Sequence, residues 1–202
     1  MNLIGKGAEA EVVSCRFLGE AALCKRRTRK AYRVHELDAR IRLERTRREA
    51  RVLHAAKHNG VRCPLVRHVD ETKCELFISR LEGVLLREAL SATALCEAGR
   101  QLALLHATGI THGDSTCSNF MVETQGTLTS RVWLIDFGLA DYSSDAEEQA
   151  TDLLLMKKSV SPKQFQSFLK GYCSATSEAK PVLGRLEKIE SRGRYVVRAI
   201  TG

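Results

Sequence analysis

The 202-residue sequence has no C-x-x-C pair among its seven cysteines, Cys15, Cys24, Cys63, Cys74, Cys96, Cys117 and Cys173. That excludes the usual opening of a zinc or dithiol redox site, and the scattered, odd set points to a reducing compartment. No basic segment followed by an apolar run stands at the N-terminus, and no stretch approaches the roughly 18 apolar residues of a membrane span. A protein of cytosol or nucleus, without membrane attachment, is expected. There is no internal repeat and no low-complexity tract, so the chain reads as one continuous fold.

What is present is a hydrophobic share of 44%, enough to bury a core, and a net charge of +8. The basic balance favours a polyanionic partner, but by itself does not separate RNA, nucleotide phosphates and an acidic protein surface.

The first part reads as strands. "MNLIGKGAEAEVVSCRFLG" sets apolar residues around a glycine pair, and "EAALCKRR" is a short apolar run ending in charge, together an opening hairpin. "HELDARIRLERTRREARVLHAAKHNG" lacks proline and interior glycine, so it predicts the longest helix, stopped at Asn59-Gly60. "CPLVRHVDETKCELFISRLEG" predicts two strands about a polar turn, with Gly83 as the break between an N-terminal lobe, 1–82, and a C-terminal lobe, 83–202. A helix is expected from Ala92 to Ala107, a short strand in "RVWLIDFG", and helices in the remainder, separated by Ser-Pro and Ser-rich breaks. Strands first and helices second predict an α+β, two-lobe architecture.

Several motifs carry chemistry. In "THGDSTCSNF", His112, Asp114 and Asn119 match the H-x-D-x-x-x-x-N spacing of phosphotransferase loops. There an aspartate orients the nucleophile's proton and an asparagine carbonyl ligates Mg²⁺. An ordinary Gly-Asp-Ser surface turn looks similar in isolation. In "LIDFG", Asp136 ends a hydrophobic run, placed to hold the metal from a second side; a plain turn after a strand is the bland alternative. In "IGKGAEAEV", Gly5 and Gly7 can bring backbone amides to phosphates and Val12 can cover a base, although Ala10 replaces the third glycine. Lys25 closes the "ALCK" strand and needs an anion. Of Glu36, Glu44 and Glu49, the last is chosen because Leu53 lies one turn beyond it on the same face. The five motifs stand in the order of a kinase, which coincidence does not explain.

On these residues the chain resembles the eukaryotic-like protein kinase fold. It resembles more closely the Bud-site-selection kinase family, the small atypical kinase subunit of the KEOPS complex. The more specific signatures are "GAEAEV", "KAYRVHELDARI", "RTRREARVL", "HGDSTCSN", "LIDFGLA", "TDLL" and "FLKGYCS" with the end "KPVLGRLEKIESRGR". The resemblance implies ATP and Mg²⁺ as cofactors, Asp114 as catalytic aspartate, Asn119 and Asp136 as metal ligands, and Lys25 with Glu49 as the phosphate-positioning pair. It implies that Asp152 braces the catalytic loop and that a hinge near Ser79 to Glu82, Ser79 and Leu81 included, holds adenine through the backbone. It also implies support for tRNA threonylcarbamoylation beside a threonylcarbamoyl-transferase subunit and a small subunit docked on the N-lobe, with tRNA reached through the complex.

Three departures qualify this. Gly113 replaces the loop arginine that would pair with a phosphorylated activation loop. No A-P-E sequence follows Gly138, so the usual peptide platform is absent. Ser115 replaces a leucine common in the family, with no partner evident. An atypical serine/threonine kinase or ATPase is therefore expected, rather than a signalling kinase. The alternatives are a small-molecule phosphotransferase of the aminoglycoside type and a nucleotide-binding scaffold. The arginines of the long helix divide between solvation with i,i+4 pairing and RNA contact. The basic tail 192–202 is the better RNA candidate, against a plain solvated end.

Overall fold

A computed structural model describes residues 2–7, 10–123 and 131–200, the last eight of these as backbone only. Contacts divide the chain into two compact units, Met1–Glu82 and Gly83–Gly202. The architecture is α+β, with the strands concentrated in the first unit and the helices in the second.

Strands β1 (Asn2–Lys6), β2 (Ala10–Phe17), β3 (Glu20–Arg27), β4 (Val66–Asp70) and β5 (Glu75–Ser79) form one antiparallel sheet of order β1-β2-β3-β5-β4. Leu18 and Gly19, both at positive φ, turn β2 into β3. Register decides which face each side chain takes, and Val12, Lys25 and Leu76 lie opposite one another on one face. Helix α1 (His35–His58) packs against β4 and β5. It stops where Gly60 takes φ +84 and Val61 donates back to Ala56 O at 3.0 Å, the left-handed turn that glycine adopts at least cost. Val52, Leu53, Ala56, Val61, Cys24 and Leu76 are buried and form the core of this unit.

In the second unit, α2 (Ala92–Ala107) is capped by Ser91 and crosses α4 (Pro162–Ala175), which Ser161 and Gln164 open with a reciprocal capping box. Glycines set the closeness of that crossing. A Cβ on Gly99 would stand 2.0 Å from Phe168 O, and one on Gly171 would stand 1.7 Å from Cys96 O. Small strands β6 (Val84–Leu85), β8 (Phe120–Val122) and β9 (Val132–Leu134) pair in one sheet, and β7 (Ile110–Thr111) pairs with β10 (Asp141–Tyr142) in another. Helix α3 (Ala146–Ser159) follows, capped by Asp145.

Helix α5 (Ala179–Ile200) corrects one expectation. Residues 192–200 continue this helix instead of forming a separate tail. A single interior glycine costs a helix about 1 kcal/mol and no proline follows it, so Gly193 does not stop the run. The side chains of Arg194 and Arg198, and residues 201–202, lie outside the described residues, as do Ala8 and Glu9 of the glycine-rich segment. All seven cysteines are free thiols. Among the described residues no helix is long and apolar enough to cross a membrane.

Candidate phosphoryl-transfer site

In the first unit, Lys25 Nζ donates to Glu49 Oε1 at 2.7 Å, with both side chains buried. Strand β3 ends in three basic residues, and because successive side chains alternate across a strand, Lys25 and Arg27 project from the same face, two residues apart. Arg27 Nη2 donates to Glu49 Oε2 at 2.6 Å. Glu49 is therefore shared by two cations, a pairing the sequence reading did not single out, because Arg27 stands in the unbroken basic run that follows Cys24. Glu44 instead faces Arg40 at the surface, and Glu36 is exposed. A buried Asp38 was also missed. Its carboxyl accepts from Arg42 Nε at 2.7 Å and from the Lys30 amide at 3.2 Å. The Arg42 hydrogen bond leads in holding it below the usual carboxylate range.

The glycine-rich hairpin is open around Gly5, where an added Cβ would meet nothing within 4 Å. The Gly7 amide donates to Ala10 O at 2.9 Å. Ser79 is engaged twice by Leu65, accepting its amide on Oγ at 2.9 Å and donating its own amide to Leu65 O at 2.8 Å. Leu81, just past β5, is half-buried.

In the second unit, the segment from Thr111 to Asn119 hangs on α3. Asp152 Oδ2 accepts the His112 amide at 2.7 Å and Oδ1 accepts the Gly113 amide at 2.9 Å. Burial alone would raise the Asp152 pKa, but hydrogen bonds and charge from His106, with the His112 amide, outweigh it and hold the carboxyl below its ordinary value. Ser115, for which no partner was evident in the sequence, is fully buried and donates from Oγ to Asp152 O at 2.5 Å. A leucine would fill that space and leave the carbonyl without this donor. Ser159 Oγ accepts the Cys117 amide at 3.0 Å, fastening the far end of the loop.

These braces present Asp114 and Asn119, both half-buried. Asn119 Nδ2 donates to Asp114 Oδ2 and to Asp114 O, each at 2.7 Å. The amide nitrogen is thus committed, and the Asn119 carbonyl oxygen is the atom left with ligating character. Ile135 N donates to Asn119 O at 2.9 Å, which sets Asn119 alongside the segment carrying Asp136. Asp136 is exposed at φ +60, a left-handed conformation that few residues other than glycine adopt and that aspartate takes more readily than most. His112, wholly buried against the Phe137 ring, accepts the Asp114 amide on Nδ1 at 3.3 Å and meets Ile135 O through Nε2 at 3.1 Å. Burial pushes its pKa down, so the ring is neutral with the proton on Nε2.

The missing arginine has a local cause. Gly113 sits at φ +76, and a Cβ there would stand 2.5 Å from Leu139 O, so the loop follows a path that no side chain fits without movement.

A buried lysine–glutamate pair and a braced H-x-D loop beside an aspartate-phenylalanine-glycine turn define the kinase-like class of proteins. The Kdo/WaaP lipopolysaccharide kinase family model matches residues 21–172. A chain from a structure of WaaP in complex with acyl carrier protein has a similar fold, with TM-score 0.64 at 17% identity, covering 94% of this chain and 88% of that one. The KEOPS complex subunit Bud32 of Pyrococcus abyssi is 37% identical over 221 residues, with 98% of each chain covered. A probable bifunctional tRNA threonylcarbamoyladenosine biosynthesis protein of Methanobrevibacter smithii is 36% identical over 202 residues, covering 96% of this chain and 37% of that one. That of Methanospirillum hungatei is 39% identical, covering 95% and 36%. The chain spans little more than a third of the length of these bifunctional relatives. It belongs to the kinase-like Kdo/WaaP family and to the family of the KEOPS subunit Bud32.

Proposed function

We propose that the chain is an ATP-dependent atypical serine/threonine kinase or ATPase that supports threonylcarbamoyladenosine modification of tRNA as a subunit of a KEOPS complex. The observation that carries the chemistry is the Asn119 amide held on Asp114, because it turns one carbonyl oxygen towards metal work and leaves a carboxylate for the nucleophile. Similarity over the whole length of the Pyrococcus abyssi subunit supports the biological setting.

In this reading the first unit is the kinase N-lobe and the second the C-lobe. Lys25, oriented by Glu49, takes phosphate oxygens of ATP. Gly5, Gly7 and Val12 lie along the nucleotide, and Leu81 with Ser79 borders adenine. The donor set suits Mg²⁺, a hard cation that keeps few protein ligands and completes its shell with phosphates and water. Asn119 and Asp136 supply two oxygens, and no cluster of three metal-binding side chains occurs among the described residues. When bound, Mg²⁺ neutralises charge developing on the phosphates. Asp114 accepts the proton of the attacking water or serine hydroxyl, while the Asp152 brace keeps its loop from drifting. The partners are a threonylcarbamoyl-transferase subunit and a small subunit on the N-lobe, with tRNA reached through the assembly, in cytosol or nucleus.

ATP turnover of the purified chain, alone and with the transferase subunit and tRNA, tests this. Asp114→Asn and Asp136→Ala should each lower turnover on the order of 10²–10⁴-fold with the circular dichroism spectrum unchanged. Wild-type turnover in Asp136→Ala would leave a nucleotide-binding scaffold as the better reading.

A further inference from the structure

We propose that His54 and His58 form a two-nitrogen binding site for a divalent transition metal of the Zn²⁺ and Ni²⁺ class, on the exposed face of α1. The site is separate from the residues assigned to phosphoryl transfer and does not rest on that reading.

In "HAAKH" the two histidines stand four residues apart, inside the helix that runs from His35 to His58. At 3.6 residues per turn such a pair lies on one face, one above the other, the spacing by which two helical histidines share a zinc ion. The rings do face each other, with centroids 6.5 Å apart and planes 13° from parallel. Both residues are exposed, and neither imidazole makes a hydrogen bond with the described residues. His106 and His112, by contrast, have both ring nitrogens engaged.

Packing holds the pair in register. Val52, Leu53 and Ala56 bury the other side of α1, so the backbone between the histidines is fixed and neither side chain can turn inwards. The helix end is fastened as well: the Asn59 amide donates to Ala55 O at 3.1 Å, and Lys57 Nζ donates to Cys63 O at 3.0 Å.

The donors choose the ion. Imidazole suits Zn²⁺ and Ni²⁺, whereas Mg²⁺ and Ca²⁺ take oxygen ligands. Two nitrogens at about 2.0–2.1 Å on neighbouring corners of one ion stand about 3 Å apart, and turns about χ1 and χ2 of exposed rings bring them there. Water completes the shell. No carboxylate occurs between Ala50 and Arg62, while Arg51, Lys57 and Arg62 are basic; only the carbonyl end of the helix favours positive charge here. The affinity therefore comes from the two nitrogens acting together, and loss of either removes the chelate.

The test titrates the full chain with NiCl₂ and with ZnCl₂ in a non-coordinating buffer, read by calorimetry and by amide and imidazole NMR signals. One ion should bind per chain, Ni²⁺ more tightly than Co²⁺, with the perturbed signals confined to the end of α1, and EDTA should reverse it. MgCl₂ should leave those signals unmoved. His54→Ala and His58→Ala should each weaken Ni²⁺ binding by about tenfold or more, and the double variant should be little worse than either. His35→Ala, exposed at the other end of the same helix, should bind as wild type. Ni²⁺ should also raise the urea midpoint of the wild-type chain and not of the two variants, because the unfolded chain does not hold the histidines in register. All substitutions are at exposed positions, and circular dichroism checks that the helix persists. Affinity unchanged in both variants, as for an ion held by the exposed Cys173 thiol, overturns the proposal. So does a loss in one variant alone, which marks a single-histidine contact, or an equal loss in His35→Ala.

Discussion

In the first unit a buried glutamate holds two side-chain cations; in the second a buried aspartate holds two backbone amides. Glu49 is flanked by Lys25 and Arg27, so its charge is answered by opposite charge from β3. Asp152 is answered by the dipoles of the His112 and Gly113 amides and by an imidazole N–H. The difference is one of what fails when the carboxylate goes. Loss of Glu49 takes a buried anion away from Arg27 and from Lys25, a cost that falls on stability. Loss of Asp152 strands neutral donors and frees a loop, a cost that falls mainly on geometry.

The sharpest way to break this contrast is to neutralise each carboxylate without changing its shape. Glu49→Gln should cost about 3–5 kcal/mol of unfolding free energy, and Asp152→Asn only about 1–3 kcal/mol, both read from urea midpoints. Equal losses would mean that uncompensated charge is not what separates the two sites.

Glycines give a second contrast. Gly113→Arg forces a side chain into a left-handed position against Leu139 O and should cost about 1–3 kcal/mol. Turnover should fall, and treatment with an upstream kinase should not raise it. Gly5→Ala, in open space on β1, should change stability by less than about 0.5 kcal/mol. Both are read by thermal melts and ATPase rates, and undiminished stability in Gly113→Arg would contradict the close approach.

Dependence on pH should expose two groups of the second unit. His112 has its pKa held below 6.5 in the folded state; the unfolded chain therefore binds the proton first, and stability falls as pH drops below about 6.5. The loss should approach about 1 kcal/mol between pH 6.5 and 5.5, and His112→Asn should flatten it. The lowered Asp152 carboxyl contributes stability that is present above its unfolded value of 3.8 and lost on further acidification. An unchanged slope in His112→Asn would remove this assignment.

The smallest effect belongs to Arg192, which reaches Glu147 at 3.1 Å with its side chain 66% exposed. Arg192→Ala should alter stability by less than about 0.5 kcal/mol. If the helix end meets RNA, the salt slope of binding should shift by no more than about one. A larger shift would make α5 the main electrostatic contact rather than a helix tied to α3.

Much of the first unit was legible because its pattern is local. The β2–β3 hairpin, the span of α1 and the approach of Glu49 to Lys25 follow from alternation, from the absence of breakers and from Leu53 marking the inward face. Arg27 was missed because "KRR" looks the same whether its last residue faces water or a carboxylate. In the second unit the helices were legible, but β6, β7, β8 and β10 have only two or three residues each, too few for any periodicity. The end of α5 was misjudged because a basic run after a glycine reads equally as tail or as helix.

The sequence by itself determined the order of the longer strands and of the helices, the α+β class and which residue types could handle phosphate and metal, because each depends on composition over a few turns or a few alternations. Only the tertiary structure decided that Gly113 has no room for arginine, that Ser115 has a partner, and that His106 links Asp152 to Tyr172 by hydrogen bonds. The hydrogen bonds among them join residues 37 to 66 positions apart. A hydrogen bond is fixed by distances of about 3 Å and by direction, and at that separation along the chain such precision comes from the packing of whole helices and leaves no local pattern to read.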